Sequence, residues 1–133
     1  MLKRIHHIDF LVRDLDQAIA QYTRIFGVQI ENRMKIQGVE LAYFHIGDVF
    51  IALVSPVDPQ SLLQKQLNEQ GEGLMHMGCE VESLEAAVQV MKANGVRLVN
   101  EKPRPGLQDW QIKLIDLVDG ETCGPTIQLV ERA

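Results

Sequence analysis

A chain of 133 residues has room for one domain with one core, and a hydrophobic share of 46% beside 23% charged residues suits a soluble globular protein. No apolar run approaches the roughly 20 residues that span a bilayer, and the opening MLKRIHHIDF carries no extended apolar stretch before a cleavage site, so a soluble cytoplasmic protein is expected. A net charge of -5 argues against general binding of nucleic-acid phosphates, and the two cysteines, Cys79 and Cys123, lack metal-type spacing and read as reduced thiols.

In chain order, residues 5–12 (IHHIDFLV) predict a strand ending at Arg13-Asp14. Asp14 can cap a following helix whose stripe is Leu15, Ala18, Ile19, Tyr22, Ile25 and Phe26, and Gly27 stops it. Three strands are expected next, over 28–34, 39–46 and 49–54, the last two joined by a tight turn at Gly47-Asp48. Pro56 and Pro59 break the pattern, and residues 60–69 (QSLLQKQLNE) form a short helix ending near Gly71 and Gly73.

The same order then returns. HMGCEV with ESLEAAVQVMKANGV matches HIDFLV with RDLDQAIAQYTRIFGV: His7/His76, Val12/Val81, Leu15/Leu84 and Ala18/Ala87 share one offset, and Gly27/Gly95 follow after a single deletion. The second copy continues with a strand over 97–100, the loop EKPRPG, a strand over 111–117, a loop holding Gly120 and Gly124, and a last strand over 126–130. The reading is one α+β domain, 1–133, built from tandem β-α-β-β-β modules, 1–56 and 74–133, joined by a helical linker, 57–73. Either module alone leaves a sheet face bare; paired, they form a curved mixed sheet around a cleft.

Strand alternation puts His7 and Asp9 on one face, His6, Ile8 and Phe10 on the other, and His76, Gly78 and Glu80 together on one face. A lone strand histidine is usually structural, but His7 and His76 occupy matching repeat positions and are expected to point into the shared cleft. Lys102, Arg104, Trp110 and Lys113 are candidate substrate contacts, cations for an anionic group and one aromatic for an apolar one; each also reads as part of a solvated loop.

These segments resemble the vicinal oxygen chelate superfamily, which includes glyoxalase I, extradiol dioxygenases, bleomycin-resistance proteins and methylmalonyl-CoA epimerase. The epimerase branch is nearest: HHIDFLVRDLDQAI, QGVELAYFHIGD, VSPVDPQS, GEGLMHMGCEVESLEAAV, EKPRPG and IQLVE carry the resemblance along nearly the whole chain. It implies the glyoxalase-like fold and a divalent metal (cobalt, zinc, manganese, nickel or magnesium) held by one residue from each module's first strand and one from each module's last. The first pair falls on His7 and His76. The second falls on Ala52 and Gln128, where the family has Glu or Gln and then Glu, so the implied metal site is degraded or empty.

The resemblance also implies proton transfer beside a thioester carbonyl, which needs a base, an acid and stabilisation of the enolate oxygen. Gln128 cannot be the base; Glu40, aligned with the family's other catalytic carboxylate, is the candidate, with a solvated strand-start glutamate as the plain reading. Three functions stay open: an epimerase-like or glyoxalase-like isomerase or lyase acting on an acyl-CoA; a metal-free small-molecule-binding protein of the bleomycin-resistance type; and metal-free acid-base chemistry by His7 and His76. A homodimer is expected, with no nucleic-acid or membrane partner.

Overall fold

The computed structural model describes Met1–Ala133. Its elements are β1 (Leu2–Leu11), α1 (Leu15–Phe26), β2 (Asn32–Ile36), β3 (Val39–Ile46), β4 (Val49–Pro56), α2 (Leu62–Gln70), β5 (Gly73–Val81), α3 (Leu84–Ala93), β6 (Arg104–Pro105), a 3-10 turn at Gln108–Trp110, β7 (Ile112–Asp116) and β8 (Thr126–Arg132). No helix is long and apolar enough to cross a membrane. The expected α+β class and the β-α-β-β-β order are both present.

Two compact units emerge, Ile8–Met75 and the pair of segments Met1–His7 with His76–Ala133. In the first, the strand order is β2-β3-β4, next to the C-terminal part of β1. Asp14 caps α1 by accepting from the Gln17 N–H, and Gly27 closes it at φ 66° in the left-handed region. The buried stripe of α1, Leu15 and Ala18, packs with Val12, Ala42 and Leu53. Burying such residues is worth about 1.5–3 kcal/mol for each large side chain, so this seam, more than helix propensity, holds α1.

The second unit has the N-terminal part of β1 followed by β5-β8-β7-β6. Its core joins Leu84, Ala87 and Val88 of α3 to Val81, Ile115, Leu117 and Leu129. Ile115 and Leu129 are odd members of their strands, so their even neighbours Leu114, Asp116, Gln128 and Val130 face the other way, and it is on this second face that the candidate site forms.

Most boundaries move by a few residues, β4 running on through Pro56, which pairs with Val39 at the strand end, and the larger departures from expectation have local reasons. β2 starts at Asn32, later than residue 28, and runs on to Ile36, because Gln37 and Gly38 both take positive φ (43° and 84°) and make a two-residue hairpin that pairs Ile36 with Val39. Residues 97–100 form no strand, only a bridge between Leu98 and Leu117, since the Asn100 side chain accepts from the Lys102 N–H and turns the chain away. The loop EKPRPG instead supplies β6, a two-residue edge strand on which a proline is tolerated.

Candidate active site

Sheet register builds the site. Asp116 lies opposite Gln128 across the antiparallel β7–β8 pair, and Gln128 lies opposite Gly78 across the parallel β5–β8 pair. Side chains directly opposite one another sit roughly 4.5–5.5 Å apart at Cβ, so this row brings a carboxylate and an amide into reach and leaves a gap at the glycine. The imidazole of His7 fills the gap: a Cβ added to Gly78 would lie 2.2 Å from the ring.

Five side chains then link in sequence. Arg104 donates to Asp116 through Nε (2.6 Å) and Nη2 (3.1 Å); Gln128 Nε2 donates to Asp116 Oδ1 (2.9 Å); Gln128 Oε1 lies 2.6 Å from His7 Nε2; and His7 Nδ1 lies 3.0 Å from His6 Nδ1. A carboxylate only accepts, so the amide nitrogen of Gln128 must face Asp116 and its oxygen must face His7. His7 Nε2 therefore carries a proton. With His7 neutral, its Nδ1 is bare and accepts from His6 Nδ1–H.

His7, His6 and Gln128 are all buried. The Trp110 ring lies against both histidines, with centroids 5.0 Å from His7 and 5.5 Å from His6, and packs on Ile112, Leu114 and Val130. Burial pushes the Asp116 carboxyl up, but the hydrogen bonds from Arg104 and Gln128 and the charges of Arg104 and His76 outweigh it, so Asp116 stays ionised below the usual carboxylate range. His76, partly buried, shares a face of β5 with Gly78, two residues along the strand, about 7 Å at Cα.

Of the residues singled out by sequence, His7, Gln128, Arg104 and Trp110 come together here, with His76 on the same strand face. The others lie elsewhere. Lys113 points to the α3 side of β7, pairs with Glu131 at 2.9 Å and lines a surface cavity with Lys102. Glu40 shares a face of β3 with Ala42, against α1, and accepts from Arg33 Nε at 2.7 Å; Arg33 also pairs with Asp16 of α1. Ala52, opposite Tyr43 in the β3–β4 pair, lies on the other face of that hairpin. The alternation that turns Tyr43 toward Ala52's face turns Glu40 away from it.

Two participants were not foreseen. Alternation assigns His6 to the face opposite His7, yet both rings meet Trp110, so strict alternation fails between them. Asp116 carries no signal in a single strand; only the register opposite Gln128 reveals it.

The site fits a divalent metal poorly. The positions implied for ligands by the family resemblance offer two imidazoles, His7 and His76, and one amide oxygen, Gln128, while alanine at 52 has no donor atom, and no group of three His, Cys, Asp or Glu side chains placed to hold a metal ion gathers in the chain. Coordination through His7 Nε2 requires that nitrogen bare, so the proton given to Gln128 would have to leave and the His6–His7 pair would reverse.

The chain belongs to the Glyoxalase/Bleomycin resistance protein/Dioxygenase superfamily, whose profile matches residues 6–113. Among individual relatives, it is 27% identical to the mitochondrial methylmalonyl-CoA epimerase of Homo sapiens over 135 residues, covering 99% of this chain and 75% of the relative. A methylmalonyl-CoA epimerase structure in complex with methylmalonyl-CoA and NH4+ superposes with a TM-score of 0.88 at 26% identity, covering 100% of this chain and 96% of the other. The Mycobacterium tuberculosis epimerase gives a TM-score of 0.86 at 29% identity, covering 99% and 89%. The glyoxalase-like fold expected from the sequence is thus the fold of this chain.

Proposed function

We propose that this protein moves a proton at the carbon beside the carbonyl of a small acyl thioester, as an epimerase of the acyl-CoA class, using imidazoles without a divalent metal. The observation that carries the reading is the whole-length likeness to epimerase structures, one holding methylmalonyl-CoA. His76 takes the α-proton, since a neutral imidazole carries an unprotonated ring nitrogen that can accept it. The Gln128 N–H that is not given to Asp116 donates toward the enolate oxygen, and water on the opposite face returns a proton while His76 passes its own to solvent, which completes inversion. Trp110 covers the apolar part of the acyl group. The working form in this reading is a cytoplasmic homodimer, for which the unpaired outer edge of β2 offers a pairing surface.

The test is deuterium incorporation at the α-carbon of methylmalonyl-CoA in deuterated water, followed by NMR. Exchange is expected in the wild-type protein, a loss of at least 100-fold in His76→Ala, in keeping with the roughly 10²–10⁴-fold contribution of a general base, and less than a two-fold change in Glu40→Gln. Absence of exchange in the wild type, or collapse in Glu40→Gln, sinks this mechanism. Ala52 favours a second reading, a metal-free binding protein; tight binding of the thioester without exchange is its signature.

A further inference from the structure

We propose that Asp116 is a positioning residue that turns the Gln128 amide so that its oxygen meets His7, and thereby holds His7 as an Nε2–H donor where a metal site needs a bare nitrogen. The inference goes beyond the proposed reaction, since no part of it depends on the substrate. It follows from the row Asp116–Gln128–Gly78 and the five linked side chains. Turning the amide over would bring its oxygen against a carboxylate oxygen now 2.9 Å from the nitrogen, two acceptors face to face, while leaving His7 opposite an N–H group. Arg104 keeps Asp116 in place through two hydrogen bonds to the same carboxylate.

The pair also accounts for glutamine at position 128. A glutamate there would set its carboxylate against that of Asp116, and like charges at hydrogen-bond distance cannot both ionise without cost. Asp116 and Gln128 are therefore matched: one carboxylate and one amide, with the carboxylate one strand further from His7 than a ligand would need to be.

Long-range proton–nitrogen NMR of the imidazoles at one fixed neutral pH reads the tautomer directly. The wild type is expected to show His7 with Nε2 protonated as a single form. Asp116→Ala is expected to give a mixture with a visible Nδ1–H population, which a purely structural role for Asp116 would not produce. If Asp116→Ala does not fold, the same information comes from Asp116→Asn, Gln128→Glu and their double variant. Gln128→Glu alone is expected to be destabilised, and adding Asp116→Asn to restore stability and to bind cobalt at least ten-fold more tightly than Gln128→Glu, by calorimetric titration with the metal alone. An unchanged single tautomer in folded Asp116→Ala, or no coupling between the two substitutions in stability or cobalt binding, overturns the proposal.

Discussion

At the scale of single residues, the site depends on what is missing from Gly78 as much as on what His7 provides. The His7 ring occupies the volume that any larger residue at 78 would need, with three ring atoms within 2.6 Å of the missing Cβ position. Gly78→Ala is therefore an overpacking change, although it adds one methyl group: the ring must leave, and its bond to Gln128 goes with it. The expected loss is about 1–3 kcal/mol, read from urea unfolding, together with loss of the His7 Nε2–H signal. A stability within about 0.5 kcal/mol of wild type and an unmoved His7 would show that the strand yields instead. The same scale explains which site residues were legible. His7, His76 and Gln128 stood out through the repeat and the family resemblance, whereas His6 was assigned to the wrong side because its ring departs from alternation, and Asp116 has meaning only through its partner across two strands. Glu40, whose place in the sequence suggested chemistry, lies by strand parity on the α1 side of β3 and pairs with Arg33, which the sequence alone did not show.

At the scale of elements, the duplication visible in the sequence reappears as matched helix starts. Asp14 accepts from the Gln17 N–H and Ser83 from the Ala86 N–H, at equivalent points of the two copies, while Gly27 and Gly95 both take positive φ after their helices. These features were readable because caps and C-terminal glycines act within a few residues of chain. The strand over 97–100 was not, since whether a β-prone run becomes a strand depends on a partner edge, and Asn100 turns this one away after a single bridge. For α1 the local device is separable from packing. Asp14→Ala removes one satisfied N–H and the charge favoured at a helix N-terminus, leaving the Leu15 and Ala18 seam intact. A cost of about 1 kcal/mol in urea unfolding is expected, with no change in the site's NMR signals because Asp14 lies in the other compact unit. A loss above roughly 3 kcal/mol would mean that the cap supports more than the helix end.

At the scale of the whole molecule, the opening residues of the chain belong with its C-terminal half, so the unit that carries the site closes only when Met1–His7 meets His76–Ala133. A buried charge fastens that closure. Glu80 on β5, 2% exposed, accepts from Arg132 Nε on β8 and lies 3.5 Å from Arg4 and 3.7 Å from Lys3 on β1. Burial alone raises its carboxyl, yet the Arg132 hydrogen bond and the charges of Arg132, Arg4 and Lys3 more than offset this and hold it below the ordinary value of 4.5. A carboxyl more acidic in the folded chain than in the unfolded one releases its proton preferentially on folding. Its contribution is thus complete above the unfolded value and disappears as pH falls through the folded one. The cations are half in water, so the contribution lies between that of a hydrogen bond to a charge and that of a surface ion pair, about 1–2 kcal/mol. Glu80→Gln should lower unfolding free energy by that amount at pH 7 and by progressively less below pH 4.5, with remaining acid dependence expected from Asp116, Glu121 and Glu131, which are shifted in the same direction. Unfolding curves for the two proteins that stay parallel from pH 7 down to the acid limit would show that Glu80 is equally acidic in the folded and unfolded chains, so that its three cations add nothing net and the fastening of β1 to β5 and β8 rests on packing.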